Sequence, residues 1–481
     1  MLSMPGDVRR RLEEHGQDHV LRGWDRLSDD ERRGLLEQVR AIDLEEVKRL
    51  YEQRDRAFSL PAPELITPIP VVRPADESHP LPREAGRLGE EALRQGQVAA
   101  LVVAGGQGSR LGFEHPKGMF PIGPVTNKSL FQIHAEKLLA LRRRYGKAVP
   151  FLIMTSPDND AETRGFFREH GYFGLPAHEV FFFSQGTMPA VDLATGRLLL
   201  EKPGRIFTSP NGHGGSLTAL AESGLLDRLR HRGIRQVFYF QVDNPLVKVA
   251  DPLFLGCHRA ARAEVSSKVV PKKDPEDKLG NMVLIDGRCA MIEYSDLPRG
   301  MAAQRDEHGR LRFWAGSPAI HIFEVNFLAR VTRGDEHIPF HVARKKVPHI
   351  DQSGAAVEPD KPNALKFEMF VFDVLPRADR WTVVETSRRE EFEPLKNATG
   401  PDSPASVRQA ISNLAGDWLQ GAGVAVPRLA DGNVAVPLEI SPLFAVDAAE
   451  LAAKMPRGFK IDGPTHLEEP SATKEGTCST P

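Results

Sequence analysis

Residues 98–121 read Val-Ala-Ala-Leu-Val-Val-Ala-Gly-Gly-Gln-Gly-Ser-Arg-Leu-Gly-Phe-Glu-His-Pro-Lys-Gly-Met-Phe-Pro. The apolar run Val98–Val103 predicts a buried strand, and it stops at Gly105 and Gly106. Glycines after a buried strand let backbone N–H groups approach a ligand that a Cβ would block. Arg110 and Lys117 set two cations beside that loop, where they can meet phosphate oxygens. A strand, a bare loop and two cations point to a site for a nucleoside triphosphate.

Rival glycine motifs do not fit. A dinucleotide fingerprint needs Gly-x-Gly-x-x-Gly, whereas Gly106, Gly108 and Gly112 give Gly-x-Gly-x-x-x-Gly. The ATPase phosphate loop needs Gly-Lys-Ser/Thr, and Lys117 is followed by Gly118.

Working outward, further strands are expected at Pro150–Met154, Glu179–Phe183 and Val237–Val242. A helix between the first two carries Leu130, Phe131, Ile133, Leu138, Leu139 and Leu141, with Ser129 as its cap. Residues 216–230 predict another. This alternation predicts an α/β fold with a mostly parallel sheet covered by helices on both faces, and ligands at the carboxyl ends of its strands. The Gly105–Arg110 loop and Asp243 both fall at such ends.

Residues 7–55 read as a helical appendage, with Ser28 and Glu31 as a capping box and Asp43 starting a further turn. Prolines at 61, 63, 68, 70, 74, 80 and 82 predict an extended connection. Met282–Ile285 and Cys289–Tyr294 flank Asp286-Gly287 as a hairpin, expected within a mixed-sheet insertion over the site. A second hairpin is expected from Val424–Val426 and Val434–Ile440 around Asp431-Gly432, in a small β-rich C-terminal unit. Pro470–Pro481 has no periodic apolar residues and reads as a frayed tail. Three regions result: a helical N-terminal region with its proline-rich connection (1–95), a catalytic domain (96–400), and a C-terminal unit with tail (401–481).

The 481 residues are 41% hydrophobic and 27% charged, with a net charge of −2. Nothing global therefore argues for nucleic acid or an anionic membrane, and phosphate-binding charge must be local. Cys257, Cys289 and Cys478 have no metal-ligand spacing and suit a reducing cytosol. The N-terminus runs into charged helix rather than a signal core, and no apolar stretch approaches the roughly 18 residues needed to span a bilayer. A soluble cytoplasmic enzyme is expected.

Several residues can carry chemistry. Asp243, within Gln241-Val242-Asp243-Asn244-Pro245, is placed to hold Mg²⁺, although Asp-Asn-Pro is equally turn chemistry. Gln185, in Phe182-Phe183-Ser184-Gln185-Gly186, offers the donor and acceptor that match the imide edge of uracil. Ser209-Pro210-Asn211-Gly212-His213-Gly214-Gly215 lets backbone pass close to a ligand, or simply turns into the next helix. Neither His213 nor His337-x-x-x-His341 has zinc-ligand character. Glu293-Tyr294-Ser295 and Trp314-Ala315-Gly316-Ser317 supply a carboxylate for sugar hydroxyls and a glycine for close approach.

The order of these motifs decides between the readings. The glycine loop with Pro116-Lys117-Gly118 resembles the signature of UTP-dependent sugar-1-phosphate nucleotidyltransferases. Adding Lys361-Pro362-Asn363-Ala364-Leu365-Lys366-Phe367-Glu368, Leu395-Lys396-Asn397-Ala398 and Glu439-Ile440-Ser441-Pro442-Leu443, the series over residues 20–450 resembles the UDP-N-acetylhexosamine pyrophosphorylase family.

That resemblance implies a central Rossmann-like domain between smaller N- and C-terminal units. It also implies transfer of a uridylyl group from UTP to a sugar 1-phosphate, with Mg²⁺ as cofactor. By the same resemblance, Gly105 and Gly106 hold the nucleotide, and Gln185 and Gly212 read uracil. Arg110 and Lys117 steady the β- and γ-phosphates, Asp243 binds Mg²⁺, and Lys366 and Lys396 contact phosphates. Glu293, Tyr294 and the backbone near Gly316 face the sugar. The family usually has Asn where this chain has His213, Ser317 and Ile320, positions expected near the nucleotide-sugar. Glucose or galactose 1-phosphate is therefore an alternative to N-acetylglucosamine 1-phosphate. A non-catalytic nucleotide-sugar binder is the reading from another class, and the intact cation and metal set argues against it. Oligomeric state is left open.

Overall fold

In the computed structural model, which describes residues 2–55, 60–74, 81–333 and 338–469 except for the side chains of 81–83, Val98–Val103 is a strand buried throughout. Ala100 and Val102 face a core with Phe131, Leu138 and Phe254, while Leu101 and Val103 face another with Leu217 and Leu220. Apolar residues on both faces are what a strand inside a doubly covered parallel sheet requires. Gln236–Gln241 runs parallel on one side and Phe151–Thr155 on the other, with Val180–Ser184 beyond. All four strands lie within one residue of their expected positions. Gln241, Val103, Met154 and Phe183 form one row across the sheet. The chain leaves that row at Gly105, Gln185 and Asp243, so three candidate segments emerge along one edge.

Beyond Gln236–Gln241 the sheet continues antiparallel through His321–Glu324 to Val265–Pro271, Ala315–Ser317, Gly280–Ile285 and Ile66–Pro68. Trp381–Glu385 adds in parallel to Val265–Pro271, and the sheet totals 11 strands. The expected hairpin is present: Arg288–Ile292 pairs with Gly280–Ile285, and Asp286 (φ 48°) and Gly287 (φ 74°) make the left-handed turn that Asp-Gly favours. This extension is the mixed-sheet insertion, and it carries Glu293, Gly316 and Ser317.

The helix Leu130–Tyr145 starts at Ser129, whose hydroxyl accepts the Gln132 N–H at 3.1 Å. The single helix expected over 216–230 is two, Gly215–Glu222 and Leu225–His231. Gly224, at φ 73°, separates them because a left-handed glycine ends a helix. Leu81–Arg94 is a helix not foreseen from the proline run; Pro82 sits in its first turn, where a missing N–H costs nothing. It crosses Pro252–Ala260 with backbone against backbone. A Cβ on Gly89 would lie 1.8 Å from the Pro252 oxygen, and one on Gly256 1.6 Å from the Ala85 oxygen. Each glycine thus turns a Cα hydrogen toward a carbonyl of the other helix.

At the N-terminus, Gly6–Glu14, Asp29–Ala41 and Leu44–Glu52 form the helical appendage, with the Ser28–Glu31 capping box in place. Leu12, Leu35, Val39 and Val47 pack with Val191, Ile206, Leu365 and Phe367. The appendage therefore braces the strand Ala364–Met369. The described part of the connection, 60–74, is mostly extended: Ile66–Pro68 forms the sheet edge and Val72 donates its N–H to Val383 at 2.8 Å, while Pro80 lies outside the described residues.

The C-terminal β unit is built differently from the expected hairpin. Asp431-Gly432 does turn the chain, but only Arg428 and Val434 bridge across it. Pro427 and Pro437 lack the N–H groups a longer ladder needs. Leu438–Ile440 instead pairs in parallel with Thr465–Leu467, against the 18-residue helix Pro404–Gly421. No helix among the described residues is long and apolar enough to cross a membrane. The expected tail, Cys478 and His337 lie outside the described residues.

Candidate active site

The glycine loop is closed on itself. Lys117 donates its backbone N–H to Gly106 at 3.1 Å, and Gly108 donates to His115 at 2.9 Å. A Cβ on Gly105 would sit 2.4 Å from the Gln185 Nε2, so this backbone lies against the buried Gln185 amide as only glycine permits. Gln185 is itself fixed by its N–H, which donates to Thr155 at 2.9 Å. Asn211 follows closely: its N–H donates to Gly186 at 3.0 Å and its carbonyl accepts from Met369 at 2.7 Å. Gly212 has φ 87°, and a Cβ there would lie 2.4 Å from the Met369 oxygen. Sequence reasoning missed Asn211, whose side-chain Oδ1 is buried without a hydrogen-bond partner. Its place between a strand and a glycine run was the available signal.

Along the same edge, Lys117 Nζ lies 3.3 Å from Asp243 Oδ2, with the two side chains 20% and 15% exposed. The Asp243 carbonyl accepts the Leu395 N–H at 2.8 Å, which brings in the Lys396 loop. Lys396 is exposed, and its N–H is held by Asp402 at 2.7 Å. Arg110 is exposed on the turn Ser109–Leu111 and has no ion-pair partner among the described residues. Nor do those residues hold a cluster of three His, Cys, Asp or Glu able to bind a metal.

A buried ion cluster behind Asp243 was also missed. Lys268 Nζ donates to Asp251 Oδ2 at 2.7 Å and to both Glu391 oxygens at 2.6 and 2.7 Å. Burial alone would favour the neutral amine, but Asp251 and Glu391 outweigh it and hold Lys268 above its ordinary value. Glu391 accepts at its carbonyl from the Asn244 side chain at 2.7 Å. The cluster thus fixes both segments that flank Asp243. A lysine beside Val269-Val270 in the strand Val265–Pro271 was its only sequence trace.

Glu293, just past Arg288–Ile292, is half-buried; burial raises its carboxyl, Asp296 adds to this, and His341 and Lys396 oppose. Tyr294 is 44% exposed. Gly316 pairs with Asn281, and the buried Ser317 accepts the Ala319 N–H at 3.3 Å. Lys366 lies over the Phe207 ring at 4.9 Å, and burial lowers its ammonium. It shares a strand face with Glu368, whose Cβ is near Gly212.

His213 accepts the Val371 N–H at Nδ1, 3.2 Å away, and packs beside Phe370. Burial first, then His341, brings it down to about 4, so it is neutral at pH 7 with its proton on Nε2. His341, unforeseen, meets Asp373 at 2.9 Å. Ile320 turns into the core: it is 1% exposed beside Val384 and Ile322, because its alternation on the strand approach points it inward. Of the three departures, only His213 and Ser317 remain beside the candidate site.

The family model for UTP–glucose-1-phosphate uridylyltransferase matches residues 74–401. The chain is 35% identical to the UDP-N-acetylglucosamine pyrophosphorylase of Saccharomyces cerevisiae over 446 residues, covering 87% of this chain and 92% of that one. It is 36% identical to the human UDP-N-acetylhexosamine pyrophosphorylase-like protein 1 over 97% of both chains. The solved Trypanosoma brucei uridine diphosphate N-acetylglucosamine pyrophosphorylase, in complex with an inhibitor, superimposes with a TM-score of 0.78 at 30% identity, over 94% of this chain and 95% of that one.

Proposed function

The chain belongs to the UTP–glucose-1-phosphate uridylyltransferase family, among its UDP-N-acetylhexosamine pyrophosphorylase members, and from that premise we propose that it joins UTP to N-acetylglucosamine 1-phosphate and releases pyrophosphate. The observation that carries this reading is the convergence of Gly105, Gln185 and Gly212 beside the Lys117–Asp243 pair. The sugar-phosphate oxygen attacks the α-phosphorus of UTP, and the bond from that phosphorus to the pyrophosphate oxygen breaks. Positioning and charge neutralisation suffice, so no protein nucleophile is needed.

Gln185 offers amide donor and acceptor to uracil, with Gly105, Gly106 and Gly212 leaving room for the nucleotide. Lys117 and Arg110 take up charge on the leaving pyrophosphate, while Lys366 and Lys396 hold the sugar phosphate. Glu293, Tyr294 and the Gly316–Ser317 strand line the sugar end. His213, neutral, presents Nε2–H to a hydroxyl or to the acetamido oxygen.

Asp243 is a lone carboxylate, and that fits Mg²⁺, which takes one or two carboxylates and completes its shell with phosphate oxygens and water. When bound, the ion would draw charge from the phosphates; Lys117 orients the carboxylate meanwhile. We assign the chemistry to residues 96–400, with 1–95 and 401–481 as supporting regions. A cytoplasmic location goes with this reading, since the buried Cys257 and Cys289 are free thiols.

Pyrophosphate release from UTP and MgCl₂ is the test, with N-acetylglucosamine, N-acetylgalactosamine and glucose 1-phosphates run in parallel. Release is expected to be fastest with N-acetylglucosamine 1-phosphate. Faster turnover of glucose 1-phosphate would refute the acetamido assignment, and silence with all three would refute catalysis.

A further inference from the structure

A cavity of about 340 Å³ lies between the helix Leu130–Tyr145, the segment Pro245–Val249 and the helix Pro404–Gly421. None of the residues proposed above for nucleotide, sugar or metal lines it. Leu141, Leu246, Leu414 and Trp418 make its walls apolar.

Of its four lining cations, three meet a carboxylate, while its carboxylates meet a cation or, at Glu439, N–H groups and a hydroxyl. Lys128 meets Glu136 at 2.9 Å, Lys248 meets Glu390 at 2.6 Å and Arg144 meets Asp447 at 2.6 Å. Asp251 meets Lys268 at 2.7 Å, and Glu90 meets Arg94 at 2.7 Å. Glu439 accepts the N–H groups of Val125 and Thr126, both at 2.9 Å. Lys137 alone meets no carboxylate: its ammonium donates to the carbonyls of Pro245 and Val247, the latter at 2.8 Å. Burial brings this amine down to about 7, with Glu391 opposing from a distance.

An apolar chamber with one unmatched cation selects an apolar body that carries one anionic group, because the anion supplies the missing counter-charge. We propose that this cavity binds a small amphipathic monoanion, a carboxylate or sulfonate on an aromatic or branched body, and that its occupancy alters turnover. The route is short. Lys137 holds the carbonyls at 245 and 247, just after Asp243 and Asn244. An anion that takes hydrogens from that ammonium loosens the segment on which Asp243 is carried.

The purified full chain is titrated with 8-anilinonaphthalene-1-sulfonate and with its uncharged counterpart N-phenyl-1-naphthylamine, both read by fluorescence. The sulfonate is expected to saturate one site at least 10-fold more tightly than the neutral dye, with no displacement by UTP. Lys137→Met should make the two dyes equal. Since that change also removes two carbonyl bonds, Leu414→Trp is the second variant: it fills the cavity and should abolish binding of both dyes with an unchanged melting temperature. Equal affinities on the unaltered protein, displacement by UTP, or full binding to Leu414→Trp would each overturn the site. At saturating sulfonate, kcat should shift at least twofold at constant KM for UTP; an unmoved kcat overturns the effector role. Binding is read without turnover, so failure here is distinct from failure of the uridylyl-transfer reading.

Discussion

Lys268→Met removes the only cation from a buried cluster and exposes how the Asp243 loop is held. Lys268 is 1% exposed and donates three charge-assisted bonds, one to Asp251 and two to Glu391, which is itself 1% exposed. Each such bond is worth about 1.5–3 kcal/mol. Removal of one member of a buried ion pair costs about 3–5 kcal/mol, because the partner charge is stranded. We expect a loss in that range at pH 8, against a total stability of about 5–15 kcal/mol.

The sign of its pH dependence follows. Two stranded carboxylates raise each other's folded pKa above the unfolded value. The variant therefore gains stability by protonation as pH falls, and loses it as pH rises through the raised pKa. Urea unfolding of both proteins at pH 8 and pH 5 reads the gap, which should narrow at pH 5. Adding Glu391→Leu deletes one stranded charge and should recover part of the loss at pH 8. A gap below about 1 kcal/mol at pH 8, or one equal at both pH values, would refute the assignment of Lys268 as the cluster's essential charge.

Gly105→Ala places a methyl 2.4 Å from the Gln185 amide and must displace it; KM for UTP should rise by about 5- to 100-fold, the worth of one or two hydrogen bonds, while the melting temperature barely moves. An unchanged KM would remove Gln185 from base recognition. Lys117→Met should lower kcat about 100-fold, as loss of a charge-stabilising group does, and steady-state kinetics with full activity would exclude it. His134, His213 and His321 are held by burial at about 3, 4 and 3, below the ordinary 6.5. The unfolded chain binds protons below 6.5 that these folded sites refuse, so stability is full above that pH and falls as pH drops toward 5, with up to three protons taken up. A flat urea midpoint between pH 7 and 5 would contradict their buried neutral state.

The parallel strands were legible because each is an apolar run ended by a glycine or polar loop, a local pattern that tertiary context did not override. Ser129, Ser28 and Asp286-Gly287 were legible for the same reason: caps and turns act within four residues. The site was legible only as an order of motifs. Gln185 and Gly212 look like loop residues until Gly105 and Met369 close on them, and no local rule foretells that. Lys268, Glu391 and Asn211 were invisible because each takes a partner more than a hundred residues away: Lys268 and Glu391 each other, Asn211 the Met369 N–H. Ile320 was misplaced because a family position fixes a residue's neighbourhood, whereas strand alternation decides which way it faces. The C-terminal ladder failed on Pro427 and Pro437, whose missing N–H groups outweighed a good turn.

The crossing of Gly89 over Pro252 and of Gly256 over Ala85 sets a limit on what the gene can vary. At each position even a methyl would overlap a carbonyl oxygen, and the helix Pro252–Ala260, which Asp251 caps, cannot retreat without dragging Asp251 off Lys268. In a saturation library both codons should tolerate glycine alone, and no second-site change at the other should rescue a loss. Mutational scanning would thus mark the rear of the Asp243 loop by two intolerant positions, neither of which touches a substrate.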